Sequence, residues 1–281
     1  MYGLTVEMVE RLRAKNRRNG LITLLSSSMD YTKFDKDGNP LDTVPQADRS
    51  RQSAYHRKWL ESNKTRFEPT ENDIKCELQL QALSYWEPLE LKINVGDFMN
   101  EIKHFDDAWV PYLRREGIMN NREGLLLMGL EDDKMSDSLS MPEARRRVGR
   151  KLSETEFCYK TDLYDALPSL HPLLEYFQPL GRTMLVKANK GGFFPPHKDW
   201  PVLTRDTFRV VAFCSYHCSG SNFEWEMENQ KMPIEPGMAY YVDTRKTHRT
   251  HSWADDSIHL IMNIPKTWEN VLKLMSVTKN F

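Results

Sequence analysis

The second half of the chain is written in short apolar runs broken by turn-forming residues. GRTMLVKAN, DTFRVVAFC, NFEWEMEN, GMAYYVDT and DSIHLIMNI each carry β-branched or aromatic residues over a strand's length. The turn residues between them set a spacing that predicts a β-sandwich or barrel. KTWENVLKLM then returns to helical periodicity and predicts a closing helix. Upstream, EPLELKINV alternates and predicts a strand, and VGDFMNEIKHFDDAW predicts a helix starting at Phe98 with Asp97 as its N-cap. NREGLLLMGL (121–130) reads as a buried strand after a turn, and MPEARRRVGRKL (141–152) as a surface helix. Residues 163–177, LYDALPSLHPLLEYF, read as a helical region interrupted by prolines.

The beginning of the chain has a different texture. Residues 4–18 place Leu4, Val6, Met8, Val9 and Leu12 near helical spacing and end in KNRRNG, whose basic residues suit the last turn of a helix. Residues 30–72 are polar, with the turn signals DKDGNP and PQADRSRQ and room for one short helix around Ala54–Leu60. The pattern therefore predicts an N-terminal helical and extended arm over 1–80 and one β-rich domain with a C-terminal helix over 81–281. The fold class is α+β with a mainly β core.

Composition narrows the functional classes. Lys plus Arg is 39 and Asp plus Glu is 40, a net charge of -1 over 281 residues. Such a balance provides no global field for a phosphate backbone, and only KNRRNG and MPEARRRVGRK are candidates for a local basic patch. The first residues contain no apolar core of a secretory signal, and no run approaches the roughly 18 apolar residues that span a bilayer. The four cysteines are unevenly spaced, as in a reduced, cytoplasmic protein. FCSYHC brings Cys214, His217 and Cys218 close in sequence, but no second pair completes a zinc site, so buried thiols are expected.

Candidate chemistry sits in PPHKDWPVL. His197 and Asp199 are two apart, so on an extended chain both side chains point the same way. A non-haem iron(II) site needs two imidazoles and one carboxylate on one side of the metal, with the remaining positions open. The third ligand must come from a distant strand, and TRKTHRTHSW offers His248 and His251.

Several stretches together carry a family resemblance: LVKANKGGFFPPHKD, FRVVAF, IEPGMAYYVDTRKTH and HLIMNI, preceded by ELKINVGDFMNEIKHFDDAW and NREGLLLMGL. Over about residues 85–266 the chain resembles the aspartyl/asparaginyl β-hydroxylase-type family of iron(II)- and 2-oxoglutarate-dependent oxygenases, which includes hydroxylases of free amino acids such as proline. The resemblance implies a double-stranded β-helix (jelly-roll, cupin-like) barrel with flanking helices. It implies Fe(II), 2-oxoglutarate and dioxygen, and hydroxylation of a C–H bond in an amino acid, a peptide or protein side chain, or another small molecule. It favours His248 over His251 as the distal ligand beside His197 and Asp199, because HRTHSWADDSIHL has the family's length when counted from His248. It places Arg209 on the co-substrate's far carboxylate and His259 on the last core strand.

One position departs from the pattern. Where the family reads Arg-x-His-Leu, this chain reads Ser257-Ile258-His259-Leu260. Ser257 donates a hydrogen bond but carries no charge, so either another base (Lys187, Arg182 or Arg245) supplies it or the pocket holds its acid differently. Gly191-Gly192-Phe193-Phe194 is a candidate pocket wall or a tight turn with two core aromatics. Residues 131–162 are a candidate lid or a solvated insertion. A cupin-like binding or structural protein with an idle metal site is the competing class, with a nucleic-acid-modifying oxygenase behind it.

Overall fold

A computed structural model describes residues 69–112, 121–199 and 205–278. The helix expected over 4–18 and the one around Ala54–Leu60 lie outside the described residues. In chain order the elements are α1 (Glu71–Ala82), β1 (Trp86–Lys92), α2 (Val95–Ile102), β2 (Val110–Pro111), β3 (Arg122–Gly129), α3 (Met141–Val148) and β4 (Tyr159–Lys160). There follow α4 (Asp162–Ala166), α5 (His171–Leu174), β5 (Thr183–Ala188), β6 (Phe193–His197), β7 (Thr207–Phe213), β8 (Phe223–Met227) and β9 (Gln230–Lys231). The chain ends with β10 (Met238–Val242), β11 (His248–Ser252), β12 (Ser257–Pro265) and α6 (Trp268–Val277).

The strands form two antiparallel sheets, one in the order β1-β10-β7-β12-β5-β3-β2, with β4 beside β3, and one in the order β6-β11-β8-β9. From β5 onward the chain passes back and forth between them: β5, β7, β10 and β12 in the large sheet, and β6, β8, β9 and β11 in the small one. The neighbour orders 10-7-12-5 and 6-11-8-9 are those of a jelly roll, the double-stranded β-helix. The fold is α+β with a mainly β core, and β1, β2, β3 and β4 extend the large sheet beyond the eight barrel strands.

Period-two alternation divides the large sheet's side chains between two cores. Leu185, Val210, Ala212, Ala239, Tyr241, Leu260 and Met262 face the helices and pack with Phe98, Leu163, Leu174, Val271 and Leu274. Val211, Phe213, Met238 and Tyr240 face the other way, toward Phe223, Trp225 and Met227 of the small sheet, and close the barrel interior.

Helix boundaries follow local chemistry. The α2 helix begins one turn before the expected Phe98: Asn94 is the N-cap, its side chain accepting from the Asp97 N–H, and Asp97 sits in the first turn. Helix α1 was absent from the pattern because only Cys76 and Leu80 are buried on it. A reciprocal capping box between Thr70 and Asp73 starts it, and its two buried residues join the helix-side core. The surface helix expected over 141–152 ends earlier, where Gly149 takes φ 70°.

Residues 131–162 are not a solvated insertion. Met141, Ala144, Leu152 and Phe157 form their own buried cluster, and Leu139 packs with Met184, Val186 and Ile261 on the interior face of the large sheet. Glu154 from this segment meets Arg182 through two hydrogen bonds of 2.6 and 3.0 Å, with both residues at 5% exposure or less. Gly181 permits the approach, since a Cβ there would lie 2.6 Å from the Glu154 carbonyl oxygen. Glu154→Ala leaves the Arg182 charge buried without its partner, an expected loss of about 3–5 kcal/mol. Chemical denaturation of the variant against wild type, with Glu154→Gln as the milder control, measures it.

Candidate metal centre and barrel interior

His197 is the last residue of β6, and His248 is the first of β11, directly opposite it in the antiparallel register. Their rings stand 4.1 Å apart between centroids. Asp199 lies just past the end of β6, anchored by its N–H donating to the Thr244 carbonyl at 2.9 Å. One ligand atom from each of His197, Asp199 and His248 falls within 4.8 Å of the others. Among the described residues this is the group of His, Cys, Asp and Glu side chains that could hold a metal ion.

The backbone sets the tautomers. His197 Nδ1 lies 2.9 Å from the Pro195 carbonyl oxygen, and His248 Nδ1 lies 3.0 Å from that of Lys246. A carbonyl only accepts, so each Nδ1 carries the proton and each Nε2 presents a lone pair. Burial first, and then the neighbouring His197, push His248 down to about 4, which keeps it neutral and fit for coordination near neutral pH. The carboxylate is oriented too. Asp199 Oδ1 faces His197 Nε2 at 3.5 Å, while Oδ2 accepts from Arg209 Nη1. Arg209 Nε and Nη2 both donate to Asn263 Oδ1, at 3.2 and 2.9 Å. Asn263 is 1% exposed, and its Nδ2 donates to the Arg182 carbonyl at 2.7 Å.

The other residues expected at the site are distributed by strand parity. His251, three residues after His248, falls on the opposite face of β11, edge-on to Trp253 at 4.3 Å and near Phe193. Lys187 lies on the helix-side face of β5, paired with Glu123 at 2.9 Å and placed over the Trp109 ring, so it does not reach the interior. Arg245 pairs with Asp243 and Glu77, and Arg182 with Glu154. Arg209, expected on a co-substrate carboxylate, has Asp199 and Asn263 as its partners here. Ser257 is fully buried and shares a 2.9 Å hydrogen bond with Ser252. Gly191 makes a turn at φ 79°. Phe194 faces inward, its ring 4.2 Å from that of His197, while Phe193 meets His251 on the outside. Cys214 and Cys218 are buried thiols whose ionisation burial opposes, Cys218 being pushed up to about 12.

Two interior residues were missed in the sequence. Trp225 stacks on His248 at 6.2 Å and 13°, and Arg122, 6% exposed, lies over the rings of Phe194 and Tyr112 at 4.6 and 4.9 Å. Trp225 Nε1 and both ring nitrogens of His259 are buried and make no hydrogen bond to any described residue. Burial first, and then the Arg122 charge, push His259 down to about 3.

Solved structures with a likeness to this fold include an oxidoreductase of the 2OG-Fe(II) oxygenase family from Burkholderia pseudomallei, with 12% identity, 71% of this chain and 94% of that chain covered, and a TM-score of 0.39. A prolyl hydroxylase from Trichoplax adhaerens, solved with a hypoxia inducible factor oxygen degradation domain peptide fragment, shares 12% identity over 72% of this chain and 94% of that one, with a TM-score of 0.38. A prolyl-4-hydroxylase from Pseudomonas putida shares 9% identity over 66% and 94%, with a TM-score of 0.38. At TM-scores below 0.5 none of these likenesses bears on what the chain does, and the fold assignment stands on the strand order. No protein-family model matches the chain, and no curated protein does. Among the described residues, no helix is long and apolar enough to cross a membrane.

A pH dependence follows from His259. Its value is near 6.5 when unfolded and about 3 when folded, so unfolding between those pH values takes up a proton. The neutral ring's contribution is complete above pH 6.5 and is lost as pH falls. The stability of wild type relative to His259→Gln is expected to drop by up to about 1.4 kcal/mol per pH unit from pH 6.5 to 4. Denaturant titrations of both proteins across that range check the slope.

Proposed function

We propose that this protein is an Fe(II)- and 2-oxoglutarate-dependent dioxygenase that hydroxylates a C–H bond of an amino acid, a peptide or protein side chain, or another small molecule. The observation that carries the reading is the convergence of His197, Asp199 and His248 within 4.8 Å at one end of a jelly-roll interior. Two imidazoles and one carboxylate, all from one side, form the donor set that suits non-haem iron(II) and leaves its other positions open. The uncommitted nitrogens of His259 and Trp225 support an interior that receives a polar ligand. Iron(II) with 2-oxoglutarate and dioxygen supplies the oxidation, in which the keto acid yields succinate and carbon dioxide while one oxygen atom enters the substrate C–H bond.

The chain's own part is positioning. His197 and His248 present Nε2 because two carbonyls hold their Nδ1 protons. Asp199 offers Oδ1 because Arg209 occupies Oδ2, which makes it a one-oxygen donor. Trp225 and Phe194 pack against the two histidine rings and limit both their rotation and water access.

With Fe(II) present, wild type should convert 2-oxoglutarate to succinate. His197→Ala and Asp199→Ala should lower that rate by more than about 100-fold. His251→Ala should stay within about two-fold of wild type, since its ring lies outside the barrel. Succinate release followed by mass spectrometry decides. The absence of iron-dependent turnover in wild type would favour a cupin-like binding protein with an idle site.

A further inference from the structure

The barrel strand β12 opens on Ser257, an uncharged residue, yet the interior beside it contains a cation. Arg122 is the first residue of β3, which lies next to β5 in the large sheet and outside the eight barrel strands. In register, Arg122 is opposite Ala188, and Ala188 is opposite Ser257. Residues directly opposite each other share a face, so Arg122, Ala188 and Ser257 form one inward row. The guanidinium lies over Phe194, and Phe194 abuts His197, so a single aromatic ring separates this charge from the metal ligands.

The opposite wall is built from Trp225 and His259. Their rings lie 5.9 Å apart, nearly perpendicular, and Trp225 stacks on His248. The charge of Arg122 is felt at His259, which is held neutral by burial. A neutral imidazole still donates one N–H, and the indole donates another; neither finds a partner among the described residues. One fixed positive charge and two uncommitted donors thus lie among the rings of Phe194, Phe213 and Phe223. Unpaired donors in so buried a place are costly unless something anionic or polar completes them.

We propose that Arg122, assisted by the N–H groups of His259 and Trp225, grips the distal carboxylate of the keto acid and makes this site selective for a dicarboxylate. The inference rests on the oxygenase reading above and adds the residue that takes over from Ser257. The base arrives from a strand added to the barrel's edge, two strands away from β12.

The test compares the full chain's affinity for 2-oxoglutarate with its affinity for 2-oxopentanoate, a keto acid of equal length without the second carboxylate, by calorimetry in the presence of Mn(II). Wild type should prefer 2-oxoglutarate by about 100-fold, as expected for a charge-assisted grip. Arg122→Met and Arg122→Gln should both reduce the preference to under about 3-fold with Mn(II) affinity unchanged, and Arg122→Lys should restore at least about 10-fold. Trp225→Phe should weaken 2-oxoglutarate by about 3- to 10-fold and leave 2-oxopentanoate unaffected. If either uncharged variant binds Mn(II) normally and keeps the full preference, Arg122 is not the anchor, while the oxygenase reading stands. If wild type binds Mn(II) but neither keto acid, both ideas fail together.

Discussion

The pairing of His248 directly across from His197 is the constraint on which the site depends. It exists only because β6 and β11 run antiparallel at one edge of the small sheet, in a register that sets His248 opposite His197. Strand β11, HRTHS, has no apolar residue of its own, and β6, FFPPH, lies at the sheet edge. What holds them is the closed barrel: β11 is also paired along its length with β8, whose Phe223, Trp225 and Met227 are buried against the large sheet. The free energy that keeps two polar rings 4.1 Å apart therefore comes from apolar burial elsewhere. The site is inexpensive to hold in place because the fold would need those strands in any case.

From that pair a line of buried polar contacts runs into the large sheet. Asp199 is held by Arg209, Arg209 by Asn263, and Asn263 by the Arg182 backbone, while the Arg182 side chain closes on Glu154. Each charge in the series has an opposite charge or an amide beside it, the condition under which ions tolerate burial. The segment that carries Glu154 is thereby joined to the Asp199 carboxylate by way of Arg182, Asn263 and Arg209, and its Leu139 packs on the interior face of the large sheet.

Much of this architecture was readable from the chain. The five runs from GRTMLVKAN to DSIHLIMNI all became strands because each has one face, or both, in a core. The elements that escaped notice are those whose reasons for existing lie elsewhere. Strand β6 reads FFPPH, and two prolines would argue against a central strand, but β6 lies on a sheet edge where the missing N–H groups cost nothing. Strand β11 reads HRTHS and has no apolar residue to signal it. Strand parity alone separates His248 from His251, and sets Lys187 apart from its inward neighbours Val186 and Ala188, once the strands are known. Arg122 and Trp225 carry no motif. Their importance is purely spatial, since register across three strands and stacking against a distant histidine leave no trace in a one-dimensional pattern. The TEND sequence that opens α1, with Thr70 as its N-cap, was a legible capping box, obscured by the polarity of the rest of the helix.

The salt bridge between Arg209 and Asp199 has a further consequence. The guanidinium cancels the formal charge of the carboxylate, so the one acid of the three-donor cradle is balanced by its immediate support. It does not draw a divalent ion from a distance by long-range attraction, as a cluster of acids does. Capture at the proposed centre would rely on short-range chelation by preplaced lone pairs, which a cloud of dissolved ions screens weakly. In the proposed centre, metal uptake would be governed by donor geometry and depend little on ionic strength, and so would favour ions by coordination preference more than by charge.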